Sequence, residues 1–229
     1  MDYHYLLYAM EGTIRLESRH RRWTLPPSRA ALIAADEPVT ISILSRLTSA
    51  SVLFAPGFVA APPQPLAVFD ISPLARELIA ECRPWGEADG PLTPYARNVF
   101  GLLAEVIQKL AQTPSPCVMP IARSPALARA LMLTEERSTG APTFTGIAVE
   151  TGQSPRALAR RFSDELGMSW GDALRRIRVI RAVEALALTE ASVTEIAYEV
   201  GYNSISAFTA AFRNLMGKSP GEYRATFGR

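Results

Sequence analysis

The chain has 229 residues and a formal net charge of +2, from 24 basic and 22 acidic residues, and 48% of its residues are apolar. That composition is typical of folded globular proteins and excludes a chain that is disordered throughout. Its two cysteines, Cys82 and Cys117, are too few for a disulfide framework, and no apolar run approaches the roughly 20 residues of a membrane-spanning helix. Since no secretion signal opens the sequence, we predict a cytoplasmic protein of two domains.

The first half of the chain predicts strands followed by helices. Short apolar or alternating segments recur at intervals of about 8 to 12 residues, which is typical of an antiparallel sandwich or barrel. We expect the first two segments, residues 5–10 and 13–17, to form a hairpin around Glu11 and Gly12. Further strands are predicted at residues 23–25, 31–34, 39–44, 51–54 and 68–71. Helical periodicity then predicts helices over residues 73–82 and 94–112.

The helix predicted over residues 94–112 has one fully apolar face. That face contains Tyr95, Val99, Leu102, Leu103, Val106, Ile107 and Leu110. Such a face has to be buried. It packs either on the sheet of its own domain or against the same helix of a second chain in a homodimer, and the sequence favours neither alternative.

A proline-rich segment separates the two halves of the chain. It contains Pro114, Pro116 and Pro120, and we place the domain boundary so that the domains are residues 1–120 and 121–229. The first domain carries 10 basic and 11 acidic residues, and the second carries 14 and 11. The second domain is therefore only modestly basic, so a role in nucleic-acid binding has to rest on motif and placement rather than on charge.

The second domain is helical throughout and contains one pattern twice, at residues 146–167 and 195–217. In each copy an Ile-Ala pair on one helix is followed by a glycine, Gly152 or Gly201, and then by a serine, Ser154 or Ser204. Glycine permits the left-handed conformation that ends a helix, and serine caps the start of the next. This is the helix-turn-helix arrangement, whose second helix enters the DNA major groove. Two copies make the assignment much stronger than one.

Other local features agree with this interpretation. Ser192 and Glu195 are predicted to form a capping box at the first helix of the second copy. Apolar residues four positions apart anchor each second helix in the core: Leu158 with Phe162, and Phe208 with Phe212. Between the copies, residues 172–188 predict a long helix that joins them rigidly. Its apolar row contains Leu174, Ile177, Ile180, Val183 and Leu186.

Residues 121–229 resemble the DNA-binding domain of the AraC/XylS family of transcription regulators. Residues 154–167, 175–186, 201–213 and 217–224 carry the resemblance. The first half is similar, less specifically, to the cupin-like ligand-sensing domain of such regulators through residues 5–17 and 22–33. It starts a strand or more late, so either the barrel is abbreviated or the sequence begins inside it.

The resemblance implies an α+β two-domain fold, in which an antiparallel, cupin-like barrel is followed by helices and then by an all-α domain with two helix-turn-helix motifs and a linker helix. It also implies a sequence-specific, DNA-binding transcription regulator and not an enzyme. Double-stranded DNA, RNA polymerase and a small-molecule effector are the implied partners, with a homodimer through helix 94–112. No cofactor is implied, and the effector-binding residues are not identifiable from the sequence.

On that resemblance, the exposed faces of the two second helices read the bases. The base-reading residues are Arg156, Ala159 and Arg160 in the first copy and Ile205, Ser206 and Thr209 in the second. Arginine recognises guanine through two hydrogen bonds, so Arg156 and Arg160 are the best base readers. The second copy has Ala210 where the family often has a basic residue. We therefore expect lower specificity there, with apolar contact to a thymine methyl group.

Contacts to DNA phosphates are assigned to residues at the helix starts and to two arginines. They are Ser154, Arg161, Asn203, Ser204 and Arg213. Two alternatives stay open. Arg161 pairs instead with Asp164 or Glu165, and Arg213 and Arg224 pair instead with acidic neighbours such as Glu222.

The first domain lacks the residues of a metal-dependent cupin enzyme. Such enzymes bind iron or manganese through a cluster of histidines and a glutamate, whereas this chain has only His4 and His20. His20 lies among arginines in a predicted turn and is expected to be solvated, so we predict no metal site. The alternative class is a metal-independent cupin-type enzyme or binding protein with a helical accessory domain. A third alternative is a regulator that acts by protein contact.

Overall fold

The structure is a computed structural model that describes residues 2–27, 29–44, 46–86 and 90–226. The chain divides into two compact units. The first unit consists of Met1–Ser18 and Thr24–Ser115, and the second consists of Arg19–Trp23 and Pro116–Arg229. The second unit therefore includes a short segment from the N-terminal half, which sequence patterns do not indicate.

Within the described residues, seven strands precede the first helix. They are β1 (His4–Glu11), β2 (Ile14–Ser18), β3 (Arg21–Leu25), β4 (Arg29–Ile33), β5 (Thr40–Ile43), β6 (Thr48–Phe54) and β7 (Leu66–Asp70). Four of them form the main antiparallel sheet of the first unit, in the order β6-β1-β4-β7. The central pair sets Tyr5 opposite Ile33 and Leu7 opposite Ala31. Among the described residues this sheet is open, with β6 and β7 at its edges.

The predicted hairpin between the first two strands is wrong. β1 pairs with β4 and β6, whereas β2 pairs with β5, so the two strands lie in different sheets. The register of β1 against β6 shifts between Ala9 and Glu11, and Gly12 takes a φ of 79°. The bulge and the left-handed glycine turn the chain out of the main sheet. Alternation of apolar residues is the same for a hairpin and for such a corner, which is why the sequence did not distinguish them.

Two helices cover one face of the main sheet, α1 (Pro73–Cys82) and α2 (Pro94–Ala111). Their bounds match the predicted helices to within one residue. On α2, Val99, Leu103 and Ile107 are buried in a core that includes residues of the main sheet. The apolar face of α2 therefore packs on the sheet of its own unit, while Tyr95 and Leu102 on the same helix stay exposed.

The second unit begins with a strand inside the proline-rich segment that we predicted to be a break. β8 (Val118–Pro120) pairs antiparallel with β3, with Arg22 opposite Met119. Cys117 and Met119 are buried in the core of the second unit. Their burial, together with the pairing to β3, orders a segment whose proline content alone indicates an irregular loop.

Seven helices follow. They are α3 (Pro125–Glu136), α4 (Phe144–Glu150), α5 (Pro155–Leu166), α6 (Trp170–Leu188), α7 (Val193–Glu199), α8 (Ile205–Met216) and α9 (Pro220–Ala225). A single hydrophobic core contains buried residues of all seven. Both predicted helix-turn-helix copies, α4–α5 and α7–α8, therefore share one core.

The linker helix α6 starts two residues earlier than predicted and carries much of this core. Ile177, Ile180, Val183 and Leu186 are buried, while Leu174 is only half-buried. α6 contacts α3 on one side of the unit and α7, α8 and α9 on the other. It therefore joins the two halves of the second unit through packed side chains.

Neither a membrane span nor a metal cluster is found in the described ranges. No helix there is both long and apolar enough to cross a bilayer. No group of three or more His, Cys, Asp or Glu side chains within those residues is arranged to hold a metal ion. His4 is buried and its Nδ1 accepts a hydrogen bond from the Ala35 backbone N–H at 3.0 Å, so it supports the fold.

Candidate nucleic-acid interface

The first helix-turn-helix copy consists of α4, a tight turn and α5. Gly152 in the turn has a φ of 64°, the left-handed conformation that favours glycine. Ser154 then opens α5, because its Oγ accepts a hydrogen bond from the Ala157 backbone N–H at 3.2 Å. Pro155 occupies the first turn of α5, where its missing N–H costs no hydrogen bond. These local features confirm the predicted helix boundaries.

The second copy begins with the predicted capping box, which is present. The Glu195 backbone N–H donates to Ser192 Oγ at 3.1 Å, and the Glu195 carboxylate accepts from the Ser192 backbone N–H at 2.6 Å. Hydrogen bonds to the carboxylate from the Ser192 backbone N–H and from the Ser192 side chain lower the pKa of Glu195. Ser204 Oγ accepts from the Ala207 backbone N–H at 3.4 Å and opens α8.

The inward faces of α5 and α8 are aromatic and fully buried. Leu158 and Phe162 on α5, and Phe208 and Phe212 on α8, are each 0% exposed, as predicted. The rings of Phe208 and Phe212 meet edge to face, with their centroids 5.8 Å apart. Because these faces are sealed into the core, the opposite face of each helix is available to a ligand.

The outward face of α5 carries two free cations. Arg156, Ala159 and Arg160 are all exposed. Within the described ranges, neither the Arg156 nor the Arg160 guanidinium makes a hydrogen bond or an ion pair to another side chain or carbonyl. Two positions separated by one helical turn therefore present unengaged bidentate donors on one surface.

The outward face of α8 has different chemistry. Ser206 is exposed, Ile205 is 37% exposed, and Thr209 is half-buried. Ala210 is exposed and contributes only a methyl group to this face. These four residues offer hydroxyl and apolar groups but no charge, and the exposed Arg213 lies one turn further along α8. The weaker specificity expected of this copy stays a prediction.

Most residues assigned to phosphate contacts lie on the surface at helix starts. Ser154, Asn203 and Ser204 are exposed. A serine hydroxyl that accepts a backbone hydrogen bond still has its own hydrogen to donate, so both cap serines can also donate to a phosphate oxygen. Their position at the positive end of a helix dipole favours an anion.

Arg161 differs from Arg156 and Arg160 because it is engaged within the protein. Its Nε donates to Gln153 Oε1 at 3.3 Å, and its Nη1 lies 3.7 Å from Glu165 Oε1. The structure therefore shows the alternative in which Arg161 pairs with Glu165. Its predicted contact to a phosphate stays a prediction.

Glu165 also caps the start of α3. Its carboxylate accepts hydrogen bonds from the backbone N–H groups of Arg123 and Ser124, both at 2.8 Å, and from Ser124 Oγ at 2.6 Å. Burial alone would raise the pKa of this carboxyl, but the hydrogen bonds from Ser124 and Arg123 and the charge of Arg161 bring it below its ordinary value. Glu165 thereby ties α5 to α3.

The two arginines near the C-terminus have different environments. Arg213 is exposed and forms no ion pair with Glu222 among the described residues. The pKa of Glu222 is lowered chiefly by hydrogen bonds from the Ser219 hydroxyl and backbone N–H, and to a smaller extent by the charge of Arg213. Arg224 donates from Nη2 to the Ala191 backbone carbonyl. Arg213 therefore stays available to a ligand, whereas Arg224 supports the fold.

Sequence patterns do not indicate two features of this unit. One is Glu165 as the cap of α3, a contact between residues 41 positions apart. The other is a set of contacts around Arg178 of α6. Both depend on which helices become neighbours, and periodicity within one helix carries no signal for that. The sequence has seven arginines between residues 156 and 181, and nothing in their spacing distinguishes those that support the fold from those that are available to a ligand.

A profile of a helix-turn-helix domain family matches residues 147–226, which span both copies. Among curated proteins, the transcriptional regulator NimR of Escherichia coli strain K12 is 25% identical over 225 residues, covering 96% of this chain and 79% of NimR. The transcriptional regulator YfiF of Bacillus subtilis is 30% identical over 149 residues, covering 62% of this chain. This chain spans 47% of the length of YfiF.

The structure of an apo ToxT variant from Vibrio cholerae covers 99% of this chain, at 15% identity and a TM-score of 0.44. Other similar solved structures cover a little under half of it. One is the DNA-binding domain of AdpA, a global transcriptional factor, in complex with a target DNA. It is 30% identical, with a TM-score of 0.43, and the match covers 45% of this chain and 94% of that domain.

Proposed function

Because this chain belongs to the AraC-type helix-turn-helix transcription regulators, we propose that it reads double-stranded DNA through the outward faces of α5 and α8. The base-reading residues in this proposal are Arg156, Ala159, Arg160, Ile205, Ser206 and Thr209. The observation that carries it is the pair Arg156 and Arg160, which is exposed opposite the buried face of α5 and unengaged within the described residues.

The arrangement suits recognition in the major groove. A helix fits into this groove, and each arginine offers parallel N–H donors that match O6 and N7 of guanine. Contacts to phosphates position the helices without reading sequence, and we assign them to Ser154, Asn203, Ser204 and Arg213, with Arg161 in a secondary role. The match of residues 147–226 to a helix-turn-helix domain family supports this role.

The test is selection of DNA fragments from a random pool by the purified full chain, followed by mobility-shift titration of the selected site. Arg156→Ala combined with Arg160→Ala should weaken binding to the selected site and relax its sequence preference. Arg129→Ala is the matched control, because Arg129 is also an exposed arginine of this unit but lies on α3. Failure of the wild type to enrich any sequence would overturn the proposal.

We also propose that the first unit, which we assign the cupin-like sensor role of residues 1–120, binds a small-molecule effector. A half-open cavity of about 580 Å³ in this unit supports it, since ligand sites commonly have about 300–1,000 Å³ and apolar linings. The lining includes Val52, Phe54, Phe58, Ile79, Trp85 and Phe100.

A fluorescent apolar probe, anilinonaphthalene sulfonate, tests this cavity. We expect saturable fluorescence enhancement in the wild type and its loss in Ala50→Trp, because Ala50 lines the cavity and an indole would fill it. Ala80→Trp is the control, since Ala80 is exposed on α1 outside the lining. Equal enhancement in all three proteins would count against the site.

The remaining parts of the proposal follow from the DNA-binding role of residues 121–229. The protein acts in the cytoplasm with RNA polymerase as a partner, and it carries out no catalysis. A homodimer would use the exposed residues of α2, Tyr95 and Leu102, because the buried face of that helix packs within its own unit.

A further inference from the structure

Arg178 lies in the middle of the linker helix α6 and is bound on two sides. Its Nε donates to the Ser138 carbonyl oxygen at 2.7 Å, and its Nη2 donates to the Gly140 carbonyl oxygen at 2.7 Å. Both carbonyls belong to residues 137–143, which connect α3 to α4 and which we call the α3–α4 segment. The guanidinium fork therefore holds the segment that leads directly into the first helix-turn-helix copy.

The same guanidinium also contacts the second copy. Its Cζ lies 5.4 Å from the ring centroid of Tyr202, which is buried in the turn between α7 and α8. The Tyr202 hydroxyl is buried without a hydrogen-bond partner among the described residues. The face of this ring meets Arg178, and its centroid lies 5.4 Å from that of the Phe208 ring.

The turn glycine of the second copy docks directly on the α3–α4 segment. A Cβ added to Gly201 would lie 2.6 Å from the Ser138 carbonyl oxygen and 2.9 Å from Arg178 Nη2. The equivalent glycine of the first copy, Gly152, has nothing within 4 Å of such a Cβ. The close approach is therefore particular to Gly201 and places the second turn against the first half of the unit.

Arg178 therefore contacts both the α3–α4 segment, which leads into the first copy, and the turn of the second copy. α6 packs on α3 and on α7 and α8, but packed apolar surfaces tolerate small sliding and rotation. A planar guanidinium that bonds two carbonyls and stacks on a ring fixes both direction and distance, which apolar contact does not.

We propose that Arg178 is the positioning residue that fixes the spacing and rotation of α5 relative to α8, and thereby the spacing of the two DNA half-sites that the protein accepts. Arg178 does not contact the DNA in this proposal. It acts through the α3–α4 segment and Tyr202. The inference rests on the proposed DNA-binding function.

The test compares DNA sites of different spacing with the full chain. The two-part site selected by the wild type is altered by inserting or deleting one base pair between its halves, which shifts them by about 3.4 Å and rotates them by about 34°. In Arg178→Ala, the ratio of affinities between the optimal and the altered site should fall by about 2- to 30-fold, the range for residues that couple two sites. Arg178→Lys should recover part of the ratio, because lysine keeps the charge but not the fork.

Arg181→Ala is the matched control. Arg181 lies on the same helix and donates from Nη2 to the Glu135 carbonyl oxygen of α3 at 2.7 Å, while no contact with the second copy is found for it in the described residues. We expect it to lower the melting temperature and to leave the spacing ratio unchanged. A spacing ratio that is unchanged in Arg178→Ala, or that falls equally in Arg181→Ala, would overturn the inference.

Two further results keep the test decisive. If Arg178→Ala does not fold, Tyr202→Leu replaces it, since this variant removes the stacked ring and should relax the spacing ratio in the same direction. An unchanged ratio in folded Tyr202→Leu and Arg178→Lys would then refute the inference. Absence of any selected site for the wild type would refute the proposed function instead, so the two failures are distinguishable.

Discussion

The outward faces of α5 and α8, which we propose to read DNA, differ in their polar side chains. Arg156 and Arg160 are exposed on α5 and unengaged within the described ranges, whereas the corresponding positions of α8 are Ser206 and Ala210, with the half-buried Thr209 beside Ala210. A bidentate arginine discriminates guanine from other bases by about 1–3 kcal/mol. A half-buried hydroxyl next to an exposed alanine has fewer donors with which to do so.

We therefore predict unequal losses from single substitutions. Arg160→Ala should remove about 1–3 kcal/mol of discrimination at one position of the operator, and Thr209→Ala should cost well under that. Mobility-shift titration against a series of operators with single base-pair substitutions measures both. Equal losses in the two variants would contradict the assignment of readout to α5.

A second prediction at this scale concerns Glu165. Because hydrogen bonds hold its pKa below the ordinary value of about 4.3, its ionised form stabilises the fold above that pH, and this stabilisation is lost as the pH falls through the lowered pKa. Glu165→Gln should cost about 1–3 kcal/mol at pH 7, because three donors lose a charged acceptor.

Chemical denaturation at pH 7 and at successively lower pH measures this effect. The difference between the wild type and Glu165→Gln should shrink as the pH falls below about 4. Asp164→Asn is the control, since the Asp164 side chain is exposed and its contact with Arg123 uses the backbone carbonyl. A difference that does not depend on pH would show that the carboxylate charge is not what stabilises α3.

Among the elements, α6 is the one on which both copies depend. Ile177 is 5% exposed and lies in the core that contains residues of α3 to α9. Ile177→Asp should place an unpaired carboxylate in that core and cost about 3–5 kcal/mol of the free energy of unfolding. Both copies should lose DNA binding together.

Leu188→Asp is the control for this prediction, because Leu188 is on the same helix but 44% exposed. Thermal unfolding of the full chain and its DNA affinity are measured in parallel. An Ile177→Asp protein that melts and binds as the wild type does would show that α6 does not carry the shared core.

At the scale of the whole molecule, we propose that the second unit acts as one body that contacts DNA through two surfaces. Its two helix-turn-helix copies share one core, and Arg178 joins the α3–α4 segment to the turn of the second copy. Two such copies on one rigid body fit successive major grooves on one face of the duplex, about 34 Å apart.

Hydroxyl-radical footprinting of the selected site checks this geometry. We expect one chain to protect two groove segments separated by about one helical turn. Arg160→Ala should weaken protection at one segment more than at the other, because Arg160 lies on α5 and α8 has Ala210 at the corresponding position. A single protected groove for each bound chain would contradict the two-surface arrangement.

Local chemistry allowed the sequence to determine most of the second unit. Three of its signals act between residues close in the chain: a glycine at a left-handed turn, a serine at a helix start, and apolar residues four positions apart. The roles of Gly152, Ser154 and the Phe208–Phe212 pair can therefore be predicted before the fold is known. Helical periodicity is also local, and it predicted the bounds of α1 and α2 to within one residue. The twofold repeat then indicated helix-turn-helix copies.

Only the tertiary structure decided what depends on neighbours far apart in the chain. β1 and β2 lie in different sheets although their pattern is that of a hairpin, and β8 orders a proline-rich segment by pairing with β3. Arg161 and Arg178 are engaged while Arg160 is not. An arginine has the same helix propensity and charge in all three positions, and its role is set by which carbonyl, carboxylate or ring the packing of other helices brings within reach.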